Sequence, residues 1–220
     1  MRINIPPIRS LPTAKAFGQS YFWRLRATVC TILFLCLRGV TSAQTAGTPE
    51  VGNPIWEVHT AREYNAHGQN FAITEDQRGL LYFGNFAGVL EFDGTDWRTI
   101  LTDNYAKVSA LYFDEARNQI FVGANSEFGY LRTDYTGTLQ FESLSEKIRT
   151  SFGEITNIVK SPAGILFIAQ KNVYLWKDRL IREWHTNDPI LGSYMVNGQL
   201  YLYQKKGGIS LFDGNKKQAV

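Results

Sequence analysis

Cysteine is scarce in this sequence and is confined to its beginning. The 220 residues include two cysteines, Cys30 and Cys36, and both lie within the first 43 positions. If that segment is removed after synthesis, the remaining chain has no thiol. Disulfide bonds, thiolate zinc sites and cysteine nucleophiles are therefore excluded from the rest of the protein.

Acidic residues are missing from the same segment. Residues 1–43 contain six Lys or Arg and no Asp or Glu, so the basic excess of the chain arises there. The remaining 177 residues carry 17 basic and 20 acidic side chains, a net charge of −3. Surfaces that bind nucleic acid need clustered cations to displace phosphate counterions, so nucleic acid is excluded as a partner of this part.

Long hydrophobic runs are also lacking, apart from one short run at residues 27–37. It follows the cationic stretch 23–26 and precedes the small residues 41–43, which is the order of a secretory signal. A helix that crosses a membrane needs ~20 apolar residues, so this run is too short to span one. We predict a cleaved signal peptide over residues 1–43 and export to the periplasm or the medium. A retained anchor and a buried helix are the alternatives.

Helical periodicity is absent from residues 44–220, where short alternating strands recur instead. Four segments share one pattern, and their second strands begin at residues 79, 118, 164 and 198. A repeat of about 40 residues is typical of a four-stranded propeller blade. Asp93-Gly94 and Asp213-Gly214 favour tight hairpin turns after equivalent strands. We predict an all-β fold, a β-propeller of four blade-like repeats that forms part of a larger propeller.

The repeats set the expected boundaries within the exported part. Residues 44–63 form a linker, and the blades span residues 64–104, 105–150, 151–188 and 189–220. The last blade is expected to be incomplete, because the pattern contains no outer strand for it. Two explanations stay open: residues 55–59 supply that strand and close a four-bladed ring, or further blades follow in a longer protein.

The first two repeats resemble a known family. Residues 64–73, with Arg78-Gly79, Tyr82-Phe83 and residues 88–94 before Trp97, are similar to the opening blade of the two-component-regulator propeller sensors of Bacteroidetes. Residues 122–123 and 127–131 resemble the second blade of a subgroup that continues into a triple-tyrosine β-sandwich. The resemblance implies a periplasmic ligand-sensing propeller that is followed by a membrane helix and a cytoplasmic kinase, helix-turn-helix or phosphatase output. It also implies that the full-length receptor forms a homodimer.

Motifs for catalysis or metal binding do not stand out. The three histidines, His59, His67 and His185, lack the helical spacing of a zinc motif, and no nucleophile elbow or glycine-rich phosphate loop occurs. The hairpin at residues 93–97 resembles the aspartate box of sialidases, but Glu91 stands where that motif has Ser or Thr. We therefore predict no catalytic residue, no metal site and no cofactor.

Binding residues are predicted on one face of the propeller, around its central channel. In a propeller, the connections into each first strand and the turns between the second and third strands lie on that face. Planar amides beside aromatic rings suit a sugar, whose hydroxyls need directional partners while its ring faces stack. Alternatively, these amides satisfy turn backbone. The predicted residues are Asn65, His67, Gln69, Asn70, Asn85, Phe86, Asn125 and Glu127, with Gln170 and Lys171 on the same face.

Three functions follow from these observations. The first is a periplasmic ligand-sensing propeller of a signal-transduction receptor, truncated before its output domain, with an extracellular glycan or another small polar ligand as its partner. A non-catalytic interaction scaffold is the second, and a carbohydrate-active enzyme is the third. Contact with a membrane is expected only through the signal segment or through a missing C-terminal part.

Overall fold

The computed structural model describes residues 56–146, 148, 151–212 and 217–219. These residues form sixteen β-strands in four sheets and no α-helix. None of the described segments is thus a helix of the length and apolarity that membrane crossing requires. The predicted signal peptide lies outside the described residues.

Each sheet has four antiparallel strands in chain order. Blade 1 contains β1 Asn70–Glu75, β2 Leu81–Asn85, β3 Gly88–Phe92 and β4 Trp97–Ile100. Blade 2 contains β5 Val108–Asp114, β6 Gln119–Ala124, β7 Glu127–Thr133 and β8 Leu139–Ser143. Blade 3 contains β9 Ile155–Ser161, β10 Gly164–Ala169, β11 Asn172–Lys177 and β12 Leu180–His185. Blade 4 contains β13 Ile190–Val196, β14 Gln199–Gln204, β15 Gly208–Phe212 and β16 Lys217–Ala219.

The blades pack face to face, and the hydrophobic core lies between them. Tyr82 and Val89 of blade 1 pack with Val108 and Val122 of blade 2. Aromatic rings dominate the next interface, where Phe128 stacks on Phe167 at a centroid distance of 4.4 Å. The third interface is aliphatic and includes Leu166, Val173, Leu200 and Leu202. Alternate residues of each strand face opposite neighbouring blades. Apolar residues at alternate positions of the sequence therefore lie in the interfaces between blades.

Close approach between blades depends on two glycines in the second strands. A Cβ atom at Gly123 would lie 2.5 Å from Cγ2 of Ile155 in blade 3. A Cβ atom at Gly84 would lie 2.8 Å from the carbonyl oxygen of Val108 in blade 2. The first strand of each following blade therefore sits against bare backbone, which only glycine allows.

Every first strand begins with a β-bulge at the same place. The register shifts leave one extra residue in each first strand, namely Phe71, Ser109, Thr156 and Leu191. A bulge bends its strand and redirects a side chain. The Ser109 hydroxyl, for example, donates to the carbonyl oxygen of Ile155 in the next blade at 2.9 Å. We call the face that carries these bulges the upper face, and the opposite face, which carries the turns after the first and third strands, the lower face.

The edges of the array differ from the sequence prediction. Residues 57–59 form no strand, and His59 and Tyr64 instead pack on Trp97 of blade 1 at 5.3 Å and 5.2 Å. The outer position of blade 4 is occupied by β16, which pairs with β15. The prediction that blade 4 lacks its outer strand was therefore wrong, because a strand of three residues is too short to show alternation.

Candidate ligand-binding site

Five of the predicted binding residues, His67, Gln69, Asn70, Asn85 and Phe86, meet at the upper face of blade 1, and Asn85 contacts three of them. Its side-chain nitrogen contacts the carbonyl oxygens of His67 at 2.6 Å and Gln69 at 3.0 Å, and Oδ1 of Asn70 at 2.7 Å. Its Oδ1 accepts the backbone N–H of Ala87 at 2.9 Å. Asn85 is fully buried. It therefore fixes the loop before β1 and does not itself face solvent.

The same loop presents an exposed aromatic cluster. The ring centroids of His67 and Phe86 are 4.5 Å apart, and those of Phe86 and Phe71 are 5.0 Å apart, both edge to face. Phe71 and Phe86 remain 40% and 42% exposed. The sequence prediction missed Phe71, although its position at the start of a first strand beside two predicted residues was an available signal.

Two charged residues from the next blades complete this cluster. Nζ of Lys107 lies 4.6 Å from the ring centroid of Phe71 and 5.8 Å from that of Phe86. The same ammonium pairs with Oε1 of Glu154 at 2.7 Å. Lys107 directly precedes β5 and Glu154 directly precedes β9, so blades 1, 2 and 3 all contribute. We call His67, Phe71, Phe86, Lys107 and Glu154 the upper cluster.

Asn125 and Glu127 flank the turn between β6 and β7, and they differ in exposure. Asn125 is exposed, and its backbone bridges to Glu154 of the upper cluster. Glu127 is buried and accepts the backbone N–H of Asn104 at 3.2 Å. It therefore holds the connection between blades 1 and 2 in place. Asn65 and Gln69 are exposed, and Asn65 adopts a left-handed φ of 46°, which asparagine tolerates better than most residues.

Burial raises the pKa of the Glu127 carboxyl, and the nearby charge of Asp103 adds to this effect. A carboxyl whose pKa is raised by folding stabilises the protein below its ordinary pKa, and that contribution is lost as the pH rises through the folded value. We expect Glu127→Gln to equal the wild type in stability near pH 4 and to exceed it at pH 7, where the buried wild-type carboxyl is ionised. Urea unfolding at the two pH values measures this. If the variant is less stable than the wild type by the same amount at both pH values, this prediction is wrong.

Within the described residues, no group of three or more His, Cys, Asp or Glu side chains could hold a metal ion. His59 lies near Trp97 at the lower face and contacts Glu63 at 3.2 Å, whereas His67 belongs to the upper cluster. The upper cluster thus combines aromatic surface, a cation and exposed amides. This combination can bind a polar ligand without a metal.

Four antiparallel sheets that pack face to face, with the first strands of blades 1, 2 and 3 adjacent, define a β-propeller. The prediction of an all-β propeller is confirmed. No protein-family model matches the chain, and no curated protein matches it.

Solved structures share this fold. Two structures of the extracellular domain of BT4673 from B. thetaiotaomicron match with a TM-score of 0.55 and 16% sequence identity, over 70% of this chain and 22% of that chain. The WD40 β-propeller domain of Doa1 matches with a TM-score of 0.51 and 11% identity, over 67% of this chain and 52% of that chain. The chain therefore spans about a fifth of the BT4673 domain and about half of the Doa1 domain. At these identities the similarity concerns the fold.

Proposed function

We propose that this chain is the ligand-sensing propeller of a signal-transduction receptor that acts in the periplasm. The upper cluster would recognise an extracellular glycan, and the propeller would bind this ligand without turning it over. Support comes from the fold shared with the extracellular domain of BT4673. BT4673 itself is assigned both as a one-component and as a hybrid two-component system.

The exposed aromatic pair of the upper cluster carries this proposal. Phe71 and Phe86 each leave about two fifths of their surface in solvent and contact each other at the upper face. Lys107 and Glu154 supply a donor and an acceptor beside the rings, and exposed Asn125 adds an amide. A sugar offers hydroxyls that donate and accept and a C–H face that stacks on aromatic rings, so it fits this surface.

The proposal is tested by titrating the ¹⁵N-labelled protein with maltotriose, cellotriose and xylotriose. We expect one of them to shift the amide resonances of residues 67–71 and 86–87. Phe86→Ala should weaken that ligand at least tenfold, since truncating a central aromatic contact costs about 2 kcal/mol in binding and tenfold corresponds to about 1.4 kcal/mol. Tyr135→Ala removes a fully exposed aromatic side chain on the lower face and should leave the affinity unchanged. If no trisaccharide shifts these amides in the folded protein, the proposal fails.

A further inference from the structure

A groove on the lower face, between blades 1 and 2, is separate from the upper cluster. It has an outer lobe of about 420 Å³ and an inner lobe of about 260 Å³. The two lobes share Arg78, Thr133 and Leu139 as lining residues. The outer lobe is bounded by the hairpin between β3 and β4, which contains Asp93 and Asp96. The outer lobe lies in the range of small-molecule sites, about 300–1,000 Å³, and the inner lobe lies slightly below it. We call this feature the lower groove.

Arg78 forms one wall of the lower groove, and hydrogen bonds to Asp76 and Tyr82 fix the orientation of its guanidinium group. Nε and Nη2 of Arg78 donate to Oδ2 of the buried Asp76 at 3.0 Å and 2.7 Å, and Nη2 also donates to the Tyr82 hydroxyl at 3.2 Å. Burial opposes ionisation of Asp76, but hydrogen bonds from Arg78 and from backbone N–H groups hold its pKa below the usual range. Nη1 of Arg78 makes no hydrogen bond to any described residue, so the guanidinium can donate into the groove.

A second wall of the groove, formed by the hairpin between β3 and β4, is acidic. Asp93 uses Oδ1 to accept the backbone N–H groups of Thr95 at 2.9 Å and Asp96 at 2.7 Å. The Asp96 side chain is exposed and accepts no hydrogen bond from the described residues. Arg98 does not neutralise this wall, because its guanidinium pairs with Glu91.

These walls define a charge pattern. The pairs Arg78–Asp76, Arg98–Glu91 and Arg132–Glu142 are each neutral as a unit, whereas Asp93 and Asp96 leave an excess of negative charge at the second wall. An anion would be repelled by that wall, and a simple cation would leave the Arg78 donors unused. A ligand with a carboxylate and an ammonium group satisfies both. Leu139 supplies an apolar surface that both lobes share.

We propose that the lower groove binds a small zwitterion of the α-amino-acid type, with its carboxylate on Arg78, its ammonium group on Asp96 and its side chain along Leu139. The carboxylate would receive a charge-assisted hydrogen bond from a preorganised guanidinium. This inference does not depend on the upper cluster, because the two sites share no residue and lie on opposite faces.

Titration of the ¹⁵N-labelled full chain with L-leucine tests the proposal. We expect shifts of the amides of residues 93–98 and 133–139 and no shift of residues 67–71. N-acetyl-L-leucine, which lacks the ammonium group, and L-leucine amide, which lacks the carboxylate, should each bind at least tenfold more weakly. Shifts on the upper face alone, equal binding of all three compounds, or no shift at all would overturn the proposal. A response of these amides to maltotriose but not to L-leucine would also overturn it.

Two conservative variants and one control complete the test. Asp96→Asn should weaken L-leucine at least tenfold, and Arg78→Lys should do so as well, while it keeps a cation on Asp76 so that the fold is preserved. Glu115→Gln alters an exposed carboxylate of the lower face outside the groove and should change the affinity less than twofold. If L-leucine binds Asp96→Asn as tightly as the wild type, the proposed site is wrong. Binding of trisaccharides at the upper face is measured from other amides. Failure of the sensing proposal can therefore be distinguished from failure of the lower-groove proposal.

Discussion

Replacing Phe128 by alanine is expected to destabilise the propeller by about 3–5 kcal/mol, the range for removing a large aromatic side chain from a core. Phe128 is fully buried at the interface of blades 2 and 3. Its ring stacks on Phe167 at 4.4 Å and contacts Tyr174 at 5.1 Å and Phe152 at 5.6 Å. Each blade is held mainly by its neighbours, so a cavity here weakens both blades at once. Because a folded domain has about 5–15 kcal/mol of stability, this loss is a large fraction.

Thermal unfolding followed by circular dichroism measures the effect, and we expect the midpoint to fall on the order of 10 °C. Tyr135→Ala is the matched control, since the Tyr135 side chain is fully exposed, and it should change stability by less than about 0.5 kcal/mol. If Phe128→Ala does not fold, Phe128→Leu should fold with an intermediate loss, because it retains part of the buried volume. A Phe128→Ala protein as stable as the wild type would show that this interface is not the core.

The architecture was predictable from the sequence because its signal is local and repeated. Strands such as Gly164–Ala169 and Asn172–Lys177 alternate or are continuously apolar, and turn residues separate them at a blade-sized spacing. The edges were not predictable in the same way. Packing of His59 and Tyr64 on Trp97 depends on side-chain contacts that no periodicity encodes.

The candidate site was also only partly predictable from the sequence. His67 and Phe86 were predicted from their positions before the first strand and after the second. Lys107 and Glu154 were missed because they come from later blades, and only the radial packing brings them to Phe71. Asn85 was predicted to face a ligand, yet its amide is occupied by the carbonyl oxygens of the loop before β1. A polar residue beside unpaired backbone groups is frequently used to satisfy them, and the sequence does not reveal which way it points.

Neutralising Asp114 is expected to be the most damaging single change of charge in the described part of the propeller. Oδ1 of Asp114 accepts Nζ of Lys160 from blade 3 at 2.6 Å, and Oδ2 accepts Nη1 of Arg117 at 2.5 Å. The Asp114 side chain is 1% exposed, whereas its two cationic partners are about two fifths exposed. Asp114→Asn should therefore cost about 2–3 kcal/mol, near the lower end for breaking a buried pair, because the cations left behind can be rehydrated.

The cross-blade part of this cost can be separated by a double-mutant cycle with Lys160→Met. We expect a coupling energy of about 1–2 kcal/mol from urea unfolding of the two single variants and the double variant. Asp178→Asn is the control, because Asp178 is an exposed turn residue with a left-handed φ of 50° that asparagine also tolerates. It should change stability by less than about 0.5 kcal/mol. A coupling energy near zero would mean that Asp114 acts within blade 2 alone.

Acid should abolish the difference between the wild type and Asp114→Asn. Burial opposes ionisation of Asp114, but Lys160 and Arg117 together hold its pKa below the usual aspartate range. A group with a lowered folded pKa stabilises the protein above its unfolded pKa, about 3.9, and this contribution is lost as the pH falls through the folded value. The stability gap should thus be constant from pH 7 to pH 5 and should shrink below pH 4. If the stability difference stays the same in acid, the effect comes from packing or from the turn. The ion pair of Asp114 with Lys160 would then not stabilise the contact between blades 2 and 3.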